Sequence, residues 1–310
     1  MARRRRPPPP EPEPQARPSL CSPARYATVH RAAGTCLLPD ELDALARAAA
    51  PDPHPVLEQP DAGRKARALR AALGESVGGG AASSDADWAA LPAARADPAL
   101  QAVFRRALRP ERPRSWLRNS RQWLSSRDID AVMVQYTASH PHFAYLGALP
   151  MDFEARDRAT GACVSHAACG AHVGELLRQG KTLVGVVLNL DKHTESGSHW
   201  VACLAGLDPG VPGRFGLWYY DSVASPPTPE VRAFMRRMAG EMRAALGPAA
   251  AARFRLHWNT RRKQWENTEC GVYSMLFLIV CLTTELPVPA VCAAMRGDGV
   301  TNRLRRVLFR

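Results

Sequence analysis

The chain has 310 residues, of which 46% are hydrophobic, enough for one domain of about 200 residues with a smaller attachment. Its 41 Lys and Arg against 29 Asp and Glu give a net charge of +12, which fits either a polyanionic partner or a coding bias towards arginine. The longest apolar run, residues 272–282, is far shorter than the roughly 20 residues of a membrane span, so a membrane-spanning protein is excluded.

The N-terminus has the composition of a flexible tail. Residues 1–30 are dominated by Arg, Pro and Glu, which bury too little surface to offset the entropy of ordering. The run Arg3 to Arg6 could contact nucleic acid, or it could simply be solvated. No apolar signal segment precedes the eight cysteines, so we expect free thiols in a reducing compartment rather than a secreted, disulfide-bonded protein.

Two further regions follow the tail. Residues 31–110 contain short helical patterns with few apolar residues for a core, interrupted by a glycine-rich linker at 74–84. We therefore predict a helical N-terminal region, to which the sequence assigns no function. Residues 111–310 are patterned as a domain with helices and strands. Its predicted helices are 126–136, 173–177 and 230–246, and its predicted strands are 143–149, 182–190, 199–204, 215–220 and 253–258.

The stretch QWENTECGVYSMLFLIVC, residues 264–281, organises this domain. Asn267 or Thr268 can cap a helix that is apolar on nearly every face and is therefore predicted to be buried. Cys270 would lie in its first turn, where the helix dipole favours a thiolate and lowers the pKa of the thiol. Gln264 could direct its amide towards the same point, as an oxyanion-hole donor must.

Two strands supply partners for that thiol. His199 opens one predicted strand, and Asp221 follows the end of the next. If the two strands are antiparallel neighbours, His199 and Asp221 lie at the same edge of the sheet, where a carboxylate fixes the tautomer of an imidazole. A helix carrying Cys270 at that edge would complete a catalytic set.

Two competing sites were weighed. His193 could be proposed as the base, but it lies in a polar loop and is better interpreted as a surface histidine. The run Cys163, His166, Cys169 and His172 suggests zinc; on one helix these residues span about 13 Å and cannot meet one tetrahedral ion, whereas in a loop they could. We therefore predict neither a metal nor another cofactor.

The combined motifs resemble a known superfamily. The order His-Trp, aromatic strand ending in Asp, then Gln, five residues and Cys-Gly is similar to the SUMO-specific, or ubiquitin-like-protein, proteases and the adenovirus protease. NLDKHTESGSHW at 189–200, NTECGVYSM at 267–275 and WLSSRDIDAVMVQY at 123–136 resemble the protease of large nucleocytoplasmic DNA viruses. The resemblance covers about 115–290, and Ser125 and Ser126 replace an Asn-Asp pair common in the family.

The resemblance implies an α+β fold with a papain-like cysteine protease core, in which a central mixed sheet is flanked by helices and a buried helix carries the cysteine. It implies that Cys270 is the nucleophile, His199 the base and Asp221 its orienting partner. Gln264 would be the oxyanion donor. The expected substrate-binding residues are Trp123, Trp200 and Gly271, the two tryptophans forming a narrow slot for glycine.

The function implied is a cysteine endopeptidase that cleaves viral structural or core precursors at Gly-Gly-X sites in the virion and the cytoplasmic viral factory. A protease that removes a ubiquitin-like modifier is the rival within the same chemistry. An acetyltransferase with the same three residues, and a basic DNA-binding scaffold that is not an enzyme, are the alternatives from other classes.

Overall fold

The computed structural model of the chain describes residues 20–74 and 84–310, with the side chain of Arg31 excepted. One five-stranded sheet forms its centre, in the order β1-β2-β3-β4-β5. Strands β2 to β4 form antiparallel pairs, and the outer strands β1 and β5 run parallel to their neighbours β2 and β4. The strands are β1 Phe143–Pro150, β2 Leu183–Asn189, β3 Trp200–Gly206, β4 Gly216–Tyr220 and β5 Leu256–Trp258.

Helices cover both faces of this mixed sheet. Strands β2 and β3 are almost wholly buried because they are sandwiched between the two layers, which explains their continuous apolar sequence. One face packs against α9 and α14, and the other against α11 and α12. The helices of this domain are α9 Ser126–Ser139, α10 His166–Cys169, α11 Val173–Arg178, α12 Pro229–Leu246, α13 Pro248–Arg253, α14 Cys270–Thr283, α15 Val288–Ala294 and α16 Asp298–Leu308.

The predicted α+β class and papain-like architecture are confirmed. Helix α14 is buried on nearly every side, as its apolar sequence predicts, and it carries Cys270 as its first residue. Its N-cap position is Glu269, so the predicted caps Asn267 and Thr268 are wrong. Helices α15 and α16 have no counterpart among the predicted helices.

The N-terminal region is helical and has a core of its own, larger than the sequence suggested. Buried Leu42, Leu45, Leu69, Trp88 and Leu100 belong to one apolar cluster that is separate from the two that flank the sheet. Its helices are α1 Pro23–Arg25, α2 Arg31–Ala33, α3 Pro39–Ala49, α4 His54–Leu57, α5 Ala62–Gly74, α6 Asp85–Ala90, α7 Pro92–Ala96 and α8 Pro98–Ala107, with a π-helix at Tyr26–His30. A 3-10 helix, Arg114–Leu117, lies between this region and the sheet domain.

Two expectations about the N-terminal part need correction. Residues 21–30, assigned to the flexible tail, are largely helical and bury Cys21 and Val29 in the helical core. Residues 1–19 and most of the predicted glycine-rich linker lie outside the described residues. The division into three regions otherwise stays a prediction.

The expectation of free thiols is wrong for four of the eight cysteines. Cys21 is bonded to Cys36, and Cys163 to Cys169, whereas the remaining four are free. Sequence spacing could not show these pairs, because each depends on a local chain reversal that brings two sulfurs together.

Among the helices of residues 20–74 and 84–310, none combines the length and apolarity needed to cross a bilayer.

Candidate active site

His199 and Asp221 meet at one edge of the sheet. His199 immediately precedes β3, and Asp221 immediately follows β4; in the antiparallel register Ala202 lies opposite Tyr220. The start of one strand and the end of the other therefore coincide, and Nε2 of His199 lies 2.7 Å from Oδ1 of Asp221. This is the juxtaposition predicted from the two strands.

The Asp221 carboxylate is completely buried and is held by backbone donors. The N–H groups of Val223 and Ser225 donate to its two oxygens at 2.9 and 3.0 Å. Burial alone would raise the pKa of Asp221, but the bond to His199 and these N–H groups outweigh it and hold the pKa below its usual value. The carboxylate is therefore charged and fixed in place.

Asn259 fixes the backbone of Asp221, a role that sequence analysis missed. Its Oδ1 accepts from the Asp221 N–H at 2.9 Å, and its Nδ2 donates to the Asp221 carbonyl at 2.7 Å. Asn259 directly follows β5, which is parallel to β4, so both residues leave the sheet at the same edge. The available signal was an amide residue placed immediately after a predicted strand.

Cys270 reaches the same edge from the head of α14. It is 4% exposed and lies close enough to His199 to interact with the imidazole and influence its pKa. Since Nε2 of the imidazole is occupied by Asp221, Nδ1 is the ring nitrogen left for the thiol. Burial lowers the pKa of His199, yet the bonds and charges of Asp221 and Cys270 outweigh burial and raise it to about 9.

Gln264 is buried beside Ser222, the residue that follows Asp221. The Ser222 hydroxyl donates to Oε1 of Gln264 at 2.5 Å, and Nε2 of Gln264 donates to the Glu266 carbonyl at 2.6 Å. Both contacts orient the side-chain amide, because its oxygen is occupied by a donor and one N–H by an acceptor. Ser222 was missed in the sequence, although its position next to Asp221 was a signal.

The residues predicted to bind substrate lie next to one another. Trp200 is mostly buried, and its indole N–H donates to the Leu124 carbonyl at 2.9 Å. Any Cβ at Gly271 would lie 3.2 Å from Leu124 and 3.3 Å from Trp200, so a larger residue there would push these side chains by a few tenths of an ångström. Trp123 is 46% exposed and stands at the surface beside them.

A groove extends from these tryptophans along the surface. Its cavity volume is about 510 Å³, and it is lined by Trp123, Trp200 and the loop 189–197. Ser125, which departs from the family motif, serves as the N-cap of α9: its hydroxyl and backbone N–H both donate to Asp128. The serine that replaces the family's usual residue therefore still caps the N-terminus of α9.

A buried ion pair between Glu269 and Arg305 holds the N-terminus of α14 in place. Glu269, fully buried, accepts from Nε of Arg305 at 3.1 Å and from Asn302 at 2.8 Å. Arg305 also donates to the carbonyls of Ser120 and Gln122, next to Trp123. One guanidinium on α16 thus ties together the chain beside Cys270 and the loop that carries Trp123.

The other candidate residues have partners of their own, although His193 lies on the loop that lines the groove. Exposed His193 pairs with Asp152 at 2.6 Å, and His172 pairs with Glu241 at 3.2 Å. Cys163 and Cys169 are bonded to each other, so these four Cys and His residues do not converge on one point. The fold and the assembled Cys-His-Asp set together have the papain-like architecture that the sequence predicted.

Comparisons with known proteins agree with this architecture. The chain is 28% identical over 191 residues to a protein of Acanthamoeba polyphaga mimivirus provisionally named thiol protease R355. That match spans 62% of this chain and 58% of the mimivirus protein. No family model matches the chain.

Solved structures show the same fold. The crystal structure of the ASFV pS273R protease matches with a TM-score of 0.59 at 18% identity, covering 94% of this chain and 96% of that chain. Its selenomethionine form matches with a TM-score of 0.54 at 19% identity, covering 73% and 83%. The predicted resemblance to a viral thiol protease is supported by the mimivirus protein, and the two solved structures show that the fold is shared.

Proposed function

We propose that this chain is a cysteine endopeptidase that uses Cys270 as nucleophile. The observation that carries the proposal is that His199 bonds to Asp221 at 2.7 Å and also interacts with Cys270, directly before Trp200 in the wall of a groove. An imidazole placed between a thiol and a buried carboxylate can accept the thiol proton and keep its own positive charge.

The reaction would proceed through a thioester. The Cys270 thiolate attacks the scissile carbonyl carbon while the Gln264 amide and the Cys270 backbone N–H stabilise the oxyanion. The imidazolium of His199 then gives its proton to the leaving amine, and the C–N bond breaks. Water, deprotonated by His199, hydrolyses the thioester and restores the thiol.

Cleavage after Gly-Gly is the proposed specificity. Trp200 and Leu124 pack so closely over Gly271 that even a Cβ there would have to displace them. A slot between the flat rings of Trp123 and Trp200 would admit only a substrate segment without side chains, such as Gly-Gly. Larger residues would be rejected by overlap.

The proposed substrates are viral structural or core precursors with Gly-Gly-X sites, processed in the virion or the viral factory. The support is the similarity to a mimivirus protein and to an ASFV protease, both of them viral. Removal of a ubiquitin-like modifier uses the same chemistry and remains the rival activity.

The deciding experiment uses the full chain in reductant with a peptide vinyl sulfone ending in Gly-Gly and a Gly-Gly-X reporter peptide. We expect one covalent adduct and cleavage after the second glycine, both lost in Cys270→Ala. The matched control is Cys292→Ser, which removes another free thiol outside the site and should keep both. Absence of an adduct on a folded wild-type chain would overturn the proposal.

Two further arms separate the alternatives. Cleavage of ubiquitin-like reporters without cleavage of precursor peptides would favour deconjugation. Stable transfer of label from acetyl-coenzyme A to a lysine, serine or threonine of a target would favour an acetyltransferase.

Nucleic-acid contact through the basic tail is a second proposal about partners. It is supported by the net charge of +12 and by Arg3 to Arg6, which lie outside the described residues. Affinity for duplex DNA should fall steeply with salt, and replacement of the four arginines by alanine should flatten that dependence. Unchanged binding in that variant would remove the tail from the contact.

A further inference from the structure

Two cysteines and one histidine converge inside the N-terminal helical region, far from the groove in sequence. The sulfurs of Cys21 and Cys36 and a ring nitrogen of His30 all lie within 4.8 Å of one another. Within residues 20–74 and 84–310, no other group of three such donors is gathered this closely. The two sulfurs are bonded to each other in this structure.

The imidazole of His30 has a nitrogen that the disulfide leaves unsatisfied. Its Nδ1 is buried and has no hydrogen-bond partner, a condition shared among the described side chains only by the Tyr220 hydroxyl. A buried polar atom without a partner is unfavourable, so a ligand that accepted the lone pair of this nitrogen would remove that penalty. Rotation of the ring about its bond to Cβ can present either nitrogen to an ion held between the two sulfurs.

The backbone on both sides of the cluster is fixed independently of the sulfur–sulfur bond. The Cys36 N–H donates to the buried carboxylate of Asp85 at 2.6 Å, and Thr35 donates to the same carboxylate at 3.0 Å. On the other side Cys21 forms a β-bridge with Leu108. The two cysteines would therefore stay close together after reduction.

These donors have the chemistry and the spacing of a zinc site. Two thiolates and an imidazole suit Zn²⁺, whose tetrahedral bonds of about 2.3 Å to sulfur place two sulfurs about 3.8 Å apart. The Cα atoms of Cys21 and Cys36 are 5.2 Å apart, so side-chain rotation can open the sulfurs to that separation. Two thiolates neutralise the ion, which lowers the cost of holding it in a buried site.

We propose that Cys21, His30 and Cys36 bind Zn²⁺ when the cysteine pair is reduced, with water in the fourth position. A dithiol reductant would break the sulfur–sulfur bond by giving two electrons and two protons, and would itself become a disulfide. Binding then releases the two thiol protons as the sulfurs coordinate the ion. The sequence spacing, eight residues between Cys21 and His30 and five between His30 and Cys36, belongs to no familiar zinc motif.

Occupancy would strengthen the N-terminal region. The ion would join the segment at residue 21, the π-helix that ends at His30 and the turn at Cys36, and through the β-bridge it would also fix the end of α8. Because the ion would bind the folded chain far better than the unfolded one, stability should rise with the free zinc concentration.

The test titrates the full chain, reduced with a phosphine, with Co²⁺ as a spectroscopic probe. We expect one equivalent to bind with near-ultraviolet thiolate-to-cobalt absorption, to be displaced by Zn²⁺, and to raise the melting temperature. Cys36→Ser should abolish the absorption, and His30→Ala should weaken binding at least ~10-fold. The control His54→Ala alters an exposed histidine paired with Glu58 and should bind like wild type.

Three results would overturn the proposal. The reduced, folded chain could bind no Co²⁺ at micromolar concentrations; His30→Ala could bind as well as wild type; or peptide mapping could show Cys21 still bonded to Cys36, without metal, in excess reductant. Circular dichroism on each variant verifies folding, and His30→Gln provides a second variant if His30→Ala is unfolded. Metal content is read independently of peptidase activity.

Discussion

At the scale of single residues, the charge on His199 is the property that most determines the chemistry of the groove. Its pKa is raised to about 9, against an ordinary value near 6.5, because Asp221 and Cys270 outweigh the effect of burial. A raised pKa means that the imidazolium stabilises the folded state fully below about pH 6.5. That contribution is lost as the pH rises through about 9.

We therefore predict an alkaline limit to peptidase activity near pH 9, where His199 loses the proton that the leaving amine must receive. In Asp221→Asn this limit should move to lower pH, because the neutral amide no longer stabilises the imidazolium. The measurement is kcat/KM on a Gly-Gly-X peptide between pH 5 and 10. His172→Gln, an exposed histidine outside the site, is the control. An alkaline limit that Asp221→Asn leaves in place would contradict this assignment.

Ser222 is predicted to act as a positioning residue through the Gln264 amide. In Ser222→Ala the amide oxygen loses its donor, so the N–H groups are no longer held towards the oxyanion. We expect kcat to fall about 10-fold with little change in KM, since an oxyanion donor acts mainly in the transition state. Ser222→Thr should restore the rate, and exposed Ser225→Ala should behave like wild type. Equal losses in Ser222→Thr and Ser222→Ala would indicate a packing role instead.

At the scale of elements, helix α16 holds the head of α14 through one buried ion pair. Arg305→Met should destabilise the fold by about 3–5 kcal/mol, because it leaves the Glu269 carboxylate buried and without its cation. Urea unfolding measures the loss, and Arg306→Met, an exposed arginine on the same helix, is the matched control. The double variant Glu269→Gln/Arg305→Met should recover part of the stability. A double variant no more stable than Arg305→Met would show that the carboxylate is not the cause.

At the scale of the whole molecule, the C-terminal residues join the helical region to the sheet domain. Phe309 is buried against Trp116 with ring centroids 5.0 Å apart, and the Arg310 N–H donates to the Pro110 carbonyl at 2.9 Å. The Arg112 N–H donates back to Arg310 at 3.1 Å. The segment between the two regions is thus paired with the end of the chain.

Phe309→Ala should cost about 3 kcal/mol, because it empties a packed aromatic site. Amide hydrogen exchange should become faster in residues 109–117 than in β2 or β3, because only the segment 109–117 loses the packing of Phe309. Leu117→Ala lies in the same segment with a side chain 91% exposed and should change neither measurement. Uniform loss of protection across the sheet would contradict a local role.

The sequence by itself determined the parts of this protein that depend on local pattern. Continuous apolar residues predicted the buried helix α14 and the strand β2, and the order of two short strands predicted that His199 and Asp221 meet. Both inferences hold because hydrophobic periodicity and a tight antiparallel connection constrain neighbours along the chain.

Only the tertiary structure decided the contacts between distant segments. Arg305 lies 36 residues from Glu269, and this charged side chain can be buried because the Glu269 carboxylate lies opposite it. Asn259 reaches Asp221 across 38 residues, and Cys21 meets His30 and Cys36 through a fold of short helices. Such contacts leave no periodic trace in the sequence, because the approach of separate elements, rather than their spacing along the chain, brings the atoms together.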